Sequence, residues 1–158
     1  MIDYDSWDFT VRTPFSNIGA KTEDGVLVQL QLTDDALDIE PVSTSDRKIA
    51  RQIERYCKDP AKGFDMDFEL RGTDFQKRVW RAMQKIPPGS VRTYGELAKK
   101  LKTSARAVGG ACRRNNIVLV VPCHRVVASD GLGGFSGERM GKWPQVKRML
   151  LDHEGVEI

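Results

Sequence analysis

A cysteine and a histidine stand side by side in VLVVPCHRVV, residues 118–127, a stretch that is otherwise almost entirely apolar. A thiol in such surroundings is most often an inert core residue. However, His124 and Arg125 follow Cys123 directly, and both side chains resist burial unless they have partners. Basic neighbours also lower the pKa of a thiol, which favours the reactive thiolate. Cys123 is therefore a candidate nucleophile, and inert packing is the competing interpretation.

The backbone around this cysteine constrains how the histidine can act. The apolar run 117–121 predicts a buried strand, which Pro122 would end, so that Cys123 would lie where the strand gives way to a turn. Adjacent side chains of an extended segment point to opposite sides. A cysteine hydrolase needs its histidine to face the sulfur. We therefore expect His124 to act on Cys123 indirectly or not at all.

The cysteines and histidines do not form a recognisable metal site. The chain has three cysteines, Cys57, Cys112 and Cys123, and two histidines, His124 and His153. A structural zinc site takes about four ligands, commonly with CxxC or HxxxH spacing, and neither spacing occurs. A sparse, odd set of cysteines also gives no disulfide framework. We expect reduced thiols, no metal and no other cofactor.

Length and charge narrow the class of protein. The 158 residues, 40% of them hydrophobic, suit one domain or two small ones, and the acidic N-terminus MIDYDSWDF does not resemble a signal peptide. Residues 1–67 hold 8 Lys+Arg and 14 Asp+Glu, whereas residues 68–158 hold 17 and 8, so the net charges are −6 and +9. We expect an intracellular protein without a membrane partner. Its basic part either binds a polyanion or forms a solvated surface.

The first third of the chain predicts a small α/β unit. DGVLVQLQL alternates as a strand does, and the EDG that begins it indicates a hairpin turn. STSDRKIARQIERYC has the period of an amphipathic helix, with Ile49, Ile53, Tyr56 and Cys57 on its apolar face. KDPAKGFD reads as a linker, because it contains Pro and Gly and the charge changes sign after it. We predict two domains, 1–67 and 68–158.

The second domain is predicted to be mainly helical. Asp74 is expected to cap a first helix that ends at the Pro-Pro-Gly of residues 87–89. Thr93 and Glu96 have capping-box spacing at the start of a second helix, and Ser104 is expected to cap a third after a short turn. This pair predicts a helix-turn-helix, although any two short helices with a tight turn look alike. The last helix is predicted to pack through Val146, Met149, Leu150 and His153.

The third of these helices has an unusual face. Arg106, Gly110 and Arg113 lie at i, i+4 and i+7, so two guanidinium groups flank a surface with almost no side chain. Two adjacent glycines, Gly109 and Gly110, weaken a helix by roughly 1 kcal/mol each relative to alanine, so they need a structural reason. Close packing against another helix is one explanation. Close approach to a nucleic-acid groove is the other.

Several separated motifs occur together in one order: FQKRVWRAMQKIPPGSVRTYGELA, ARAVGGACR, RRNN, PCHRVV and KRMLLDHEG. This set, from about Phe75 to Glu154, resembles the O6-alkylguanine-DNA alkyltransferases. The resemblance implies an α/β, ribonuclease-H-like N-terminal domain and a mainly α C-terminal domain with the helix-turn-helix and the active-site cysteine. It also implies a cytoplasmic monomer, associated with the nucleoid or, in a eukaryote, nuclear, whose partner is double-stranded DNA containing O6-alkylguanine.

The resemblance assigns chemical roles residue by residue. Cys123 accepts the alkyl group after the base has been flipped out, in an irreversible, single-turnover DNA repair reaction. His124 passes the thiol proton, through a water molecule, toward Glu154. Tyr94 assists protonation of the leaving guanine and contacts the phosphate of its nucleotide. Asn115 is the hinge between the recognition helix and the active site.

It also assigns residues that contact DNA and the base. Arg106 corresponds to the arginine that replaces the flipped base, and the face that includes Gly109, Gly110 and Arg113 corresponds to the surface pressed against DNA. Backbone groups of Cys123, Val126 and Ser136 would read the guanine edge, and Lys147 corresponds to a lysine of the family's pocket.

The sequence departs from the family pattern at three places. Asn116 and Val118 replace two usual prolines, which puts the rigidity of the hinge in question; Phe135 replaces a frequent tyrosine; and about five extra residues near GERMGKWP precede the last helix. Two other functions stay open at this point. A non-catalytic lesion-binding or regulatory relative would carry another residue, often tryptophan, in place of Cys123. A cysteine hydrolase would turn over repeatedly.

Overall fold

The computed structural model describes residues 7–34, 38–134 and 141–157. The chain divides into two units, Met1–Arg71 and Gly72–Ile158, so the division falls four residues after the boundary expected from the charge pattern. The described helices and strands give the mixed α/β fold that the sequence predicts. Among these residues, no helix is both long and apolar enough to cross a membrane.

In its described residues, unit 1 has a three-stranded antiparallel sheet and one α-helix. The strands are β1 (Phe9–Val11), β2 (Asn17–Glu23) and β3 (Val26–Thr33), in the order β1-β2-β3, and the helix is α1 (Thr44–Lys58). The expected hairpin turn is confirmed: Glu23 pairs with Val26, and Asp24 and Gly25 between them both have positive φ, as a two-residue turn requires.

The helix of unit 1 packs as its periodicity predicts, with one exception. Ser43 caps α1 by accepting a hydrogen bond from the backbone N–H of Asp46, and α1 packs against β1. Ile49, Ile53 and Tyr56 are buried. Cys57, which the pattern places on the same apolar face and predicts to be buried in the core, is only half-buried, so that prediction was wrong.

The described residues of unit 2 form four α-helices and a short parallel sheet. The elements are α2 (Asp74–Gln84), β4 (Arg92–Thr93), α3 (Tyr94–Leu101), α4 (Ala105–Arg113), a 3₁₀ turn (Cys123–Arg125), β5 (Val126–Val127) and α5 (Lys142–His153). Helices α2, α3 and α4 pack on one another. The indole N–H of Trp80 donates to the carbonyl of Ala111 at 2.9 Å, which joins α2 to α4 inside the core.

The helix starts of unit 2 are mostly as expected. Thr93 and Glu96 form the predicted capping box of α3, and Ser104 caps α4. Asp74 does not cap α2, because Thr73 has the extended backbone of a cap and forms a capping box with Gln76. Asp74 is instead the first residue of the helix.

Two further expectations for unit 2 were wrong. Residues 117–121 are buried but do not form a strand: the backbone turns at Leu119, whose φ is +70°, and the N–H of Val121 bonds to the carbonyl of Ile117 at 2.9 Å. An apolar β-branched run has the same composition in a strand and in a buried turn. Met149 of α5 was expected to pack in the core, but it is 41% exposed. Lys147, which was not among the residues expected to pack there, is completely buried next to Val146.

We predict that Gly19→Ala destabilises unit 1 by about 1 to 3 kcal/mol, because a methyl group there would overlap the buried indole ring of Trp7. The matched control is Gly63→Ala, where an added methyl group meets nothing within 4 Å. Urea denaturation measures both free energies of unfolding. Equal midpoints for the two variants would show that the sheet accommodates the extra methyl group.

Candidate active site

Cys123 is held in a buried position at the start of the 3₁₀ turn. Cys123 is 6% exposed, and its Sγ accepts a hydrogen bond from Nδ2 of Asn115 at 3.1 Å. Burial raises the pKa of the Cys123 thiol, and the Asn115 hydrogen bond and the charge of Lys147 act in the opposite direction. Because burial is the largest effect, the resting group is a thiol that needs a base to become nucleophilic.

Asn115 organises the backbone that carries the cysteine. Its Nδ2 also donates to the carbonyl of Val121 at 2.8 Å, and its Oδ1 accepts from the N–H of Ile117 at 2.9 Å. The side chain therefore bridges both ends of the turn and the sulfur, and it is itself 5% exposed. The turn is fixed in this way although Asn116 and Val118 stand where the family usually has prolines.

His124 forms a buried polar cluster with two charged side chains. Its Nε2 is 2.8 Å from Oε2 of Glu154, and the guanidinium of Arg125 donates to both carboxylate oxygens, from Nε at 2.8 Å and from Nη2 at 2.9 Å. The exposed fractions of the His124 and Glu154 side chains are 1% and 0%. Burial lowers the pKa of His124, so the imidazole is neutral near pH 7.

The segment that carries this histidine is not extended. Residues Cys123–Arg125 form a 3₁₀ turn, so the expectation that adjacent side chains alternate between two faces was based on the wrong backbone. The second ring nitrogen, Nδ1 of His124, is buried and has no hydrogen-bond partner among the described residues. It is the ring atom that is available to a proton donor.

Lys147 and Tyr94 lie together beside the cysteine. Nζ of Lys147 donates to the carbonyls of Val126 at 2.6 Å and Gly134 at 2.9 Å, and it lies 5.7 Å from the centre of the Tyr94 ring. Burial lowers the pKa of Lys147 to about 8 and raises the pKa of Tyr94. Gly133 has a φ of +77°, and a methyl group there would lie 3.2 Å from the Tyr94 ring, so glycine permits this close approach.

The glycine face of α4 is open. A methyl group at Gly109 or Gly110 would meet nothing within 4 Å, and the flanking Arg106 and Arg113 are exposed. Within the part of the chain that the structure describes, no helix packs closely against these two glycines. Of the expected site residues, Ser136 lies outside the described residues, as does Phe135.

Sequence reasoning missed two features of this region. Arg125 was noted only as a basic neighbour, but it is buried and binds both oxygens of Glu154; three consecutive polar or ionisable residues in an apolar run were the available signal. Cys112 lies near the site with its Sγ 3.6 Å from Sδ of Met83. In the described ranges, no three His, Cys, Asp or Glu side chains are placed to hold a metal ion.

We predict that Asn115→Asp destabilises unit 2 by about 2 to 3 kcal/mol. The aspartate has nearly the same shape, but its oxygens cannot donate to the Val121 carbonyl or to the Cys123 sulfur, so buried acceptors face each other. Urea denaturation gives the free energy of unfolding, with Asn116→Asp as the neighbouring control. A loss no larger than that of the control would contradict the proposed role of the amide.

Comparison with known proteins places this geometry in a family. Residues 74–156 match the family model for the 6-O-methylguanine DNA methyltransferase, DNA binding domain. The methylated-DNA–protein-cysteine methyltransferase of Mycolicibacterium paratuberculosis is 40% identical over 138 residues, which are 81% of this chain and 82% of that protein. Its counterpart in Methanosarcina acetivorans is 43% identical over 112 residues, 69% of each chain.

Solved structures of the same family are similar to this chain. The crystal structure of the Mycobacterium tuberculosis O6-methylguanine methyltransferase has a TM-score of 0.77 and 34% identity, and the match covers 92% of this chain and 90% of that one. A structure described as Mycobacterium tuberculosis OGT in complex with DNA has a TM-score of 0.74 and 33% identity, with the same coverage. The chain belongs to the methylated-DNA–protein-cysteine methyltransferase family.

Proposed function

We propose that this protein repairs DNA directly, by transferring the alkyl group of an O6-alkylguanine to Sγ of Cys123. The observation that carries the proposal is the buried thiol of Cys123, held by Asn115 and adjacent in the chain to the paired His124 and Glu154. The names of the relatives support the same reaction. The substrate is double-stranded DNA, in the cytoplasm or nucleoid or, in a eukaryote, in the nucleus, and the protein acts as a monomer.

The proposed reaction begins with proton transfer from Cys123 and ends with protonation of the released guanine. His124 accepts the thiol proton at Nδ1, through one water molecule, and Glu154 stabilises the resulting imidazolium. The thiolate of Cys123 attacks the alkyl carbon, a C–S bond forms, and the C–O6 bond breaks with its electron pair leaving on guanine. Tyr94 assists the return of a proton to that guanine. The buried, unpartnered Nδ1 and the neutral state of the imidazole support this order of events.

Each protein molecule would react only once. A thioether has no acyl carbon that water can attack, so no hydrolytic step restores the thiol. The same point separates this function from a cysteine hydrolase, which would release its product and repeat the cycle. Burial of the thiol limits oxidation before the substrate arrives.

The target base must leave the duplex to reach this sulfur. A buried thiol cannot contact an O6 carbon inside stacked DNA, and extrusion of a base costs a few kcal/mol. We propose that α3 and α4 form a helix-turn-helix, that α4 lies in the minor groove, and that Arg106 fills the gap left by the flipped base. The exposed glycine face and the basic net charge of residues 68–158 support this placement.

The guanine contacts are proposed from the resemblance and supported by the local geometry. Backbone groups of Cys123, Val126 and Ser136 read the base edge, and Lys147 supports the pocket. Lys147 already holds the Val126 carbonyl, and a carbonyl oxygen has a second lone pair for the base. We assign DNA binding and alkyl transfer to residues 68–158, and residues 1–67 form the α/β N-terminal domain.

We predict that one equivalent of protein removes one methyl group from a duplex containing O6-methylguanine, and that the methyl group appears only on the Cys123 peptide. Intact-protein and peptide mass spectrometry measures the transfer. Cys123→Ala should show no mass increase, whereas Cys57→Ala, which changes a half-buried thiol of unit 1, should react like the unmodified chain. Tight lesion binding without a mass change would instead identify a non-catalytic recognition protein.

We predict that Gly110→Leu weakens duplex binding by at least about tenfold while the helix becomes more stable by roughly 0.5 to 1 kcal/mol. The side chain enters open space in the folded protein but occupies the surface proposed to meet the DNA backbone. Fluorescence anisotropy at fixed salt measures binding, because phosphate contacts make the affinity salt-dependent. Gly63→Leu is the control for a side chain added at an open glycine, and equal affinities of the two variants would refute this DNA interface.

A further inference from the structure

The guanidinium of Arg125 is committed to two partners inside unit 2. Nε and Nη2 bind the two oxygens of Glu154, and Nη1 donates to the carbonyl of Ile86 at 2.7 Å. The side chain is 8% exposed. Arg125 is therefore buried among its partners, although it lies in the basic half of the protein and next to His124.

This arrangement fixes the charge of Glu154. A carboxylate buried beside a neutral imidazole alone would favour its protonated form, because burial disfavours charge. A guanidinium keeps its proton in proteins, and a bidentate pair with a carboxylate is the strongest geometry available to it. Glu154 is therefore an anion, to which N–H groups of His124 and Arg125 donate.

The anion in turn fixes the proton of the imidazole. An ionised carboxylate can only accept, so Nε2 of His124 must carry the hydrogen of their 2.8 Å bond. In a neutral ring the other nitrogen, Nδ1, then has a free lone pair. We propose that Arg125 is a positioning residue, which holds Glu154 ionised so that the proton of His124 stays on Nε2 and Nδ1 remains the base for the Cys123 thiol. The final step of this inference depends on the proposed function.

Other groups around the ring act together with this contact. The Glu154 carboxylate favours the imidazolium, and burial, Arg125 and Lys147 of α5 oppose it. The thiol of Cys123 precedes the ring in the chain and is neutral at rest. Arg125 thus has two effects: it orients the proton of the neutral ring, and its positive charge partly offsets the carboxylate that would otherwise protonate the ring early.

Loss of the guanidinium has two possible local outcomes with the same consequence. Glu154 can stay ionised and draw a second proton onto His124, which makes an imidazolium. Alternatively, Glu154 can become protonated and donate to Nε2, which moves the ring proton to Nδ1. In both cases the Nδ1 lone pair is lost and the thiol loses its base.

Nitrogen-15 NMR of the histidine rings tests this directly, because the chain has only two histidines and His153→Asn assigns their signals. In the unmodified protein at pH 7, Nε2 of His124 should be protonated and Nδ1 should be a bare, pyridine-type nitrogen. In Arg125→Met, that pyridine-type Nδ1 signal should disappear. Arg125→Lys keeps a charge but cannot hold both oxygens, so it should lie between the two.

The alkyl-transfer rate with O6-methylguanine duplex gives the second readout. General-base help typically contributes roughly 10² to 10⁴-fold, so Arg125→Met should lower the rate at pH 7 by at least about tenfold. If Glu154 stays ionised in the variant and His124 becomes an imidazolium, His124 must lose a proton before it can act as a base. The acidic limb of the pH profile of the rate should then move to higher pH. Arg125→Lys should show a smaller shift in the same direction, and it decides the matter if Arg125→Met does not fold.

The control for a merely structural loss is Trp80→Phe, which removes another buried side chain to backbone hydrogen bond of unit 2. It should lower stability and leave the His124 tautomer and the pH profile unchanged. A pyridine-type Nδ1 in Arg125→Met, or a pH profile of Arg125→Lys identical to that of the unmodified chain, would overturn the proposal. If the unmodified chain does not transfer the alkyl group, the proposed function fails, and the NMR result still decides the positioning role.

Discussion

The rest of the site depends on the hydrogen bonds that the buried carboxylate of Glu154 accepts from His124 and Arg125. Glu154 joins three separate parts of unit 2: the 3₁₀ turn through His124 and Arg125, the end of α5 through its own backbone, and the segment after α2 through the Arg125 bond to Ile86. Removing one partner of such a pair typically costs about 3 to 5 kcal/mol, because a charge is left buried and unpaired. The catalytic geometry and the stability of the domain therefore rest on the same atoms.

This cluster solves the problem created by a buried nucleophile. Burial protects the thiol of Cys123 but also raises its pKa, so the unassisted sulfur is unreactive near pH 7. A neutral imidazole with its lone pair available offers a base without adding a second buried charge at rest.

The surface proposed to bind DNA and the surroundings of Cys123 differ in their physical properties. The α4 surface is polar, bare and flanked by arginines, which suits contact with phosphates and with the shape of DNA more than with its sequence. The surroundings of Cys123 are buried and are held by hydrogen bonds of Asn115 and Lys147. In the proposed function, extrusion of the base connects the two, because it brings a base from a duplex bound at the surface to the buried sulfur.

The sequence alone determined the types of residue at the site, the helices whose caps lie next to them in the chain, and the family. Capping boxes and hairpin turns are local, so Thr93 with Glu96 and Asp24 with Gly25 were readable from spacing. The tertiary structure alone decided that residues 117–121 turn instead of pairing as a strand, and that Arg125 is buried against Glu154. An apolar run and a basic side chain look the same in either setting, because their partners are remote in the chain and only folding brings them within hydrogen-bond distance.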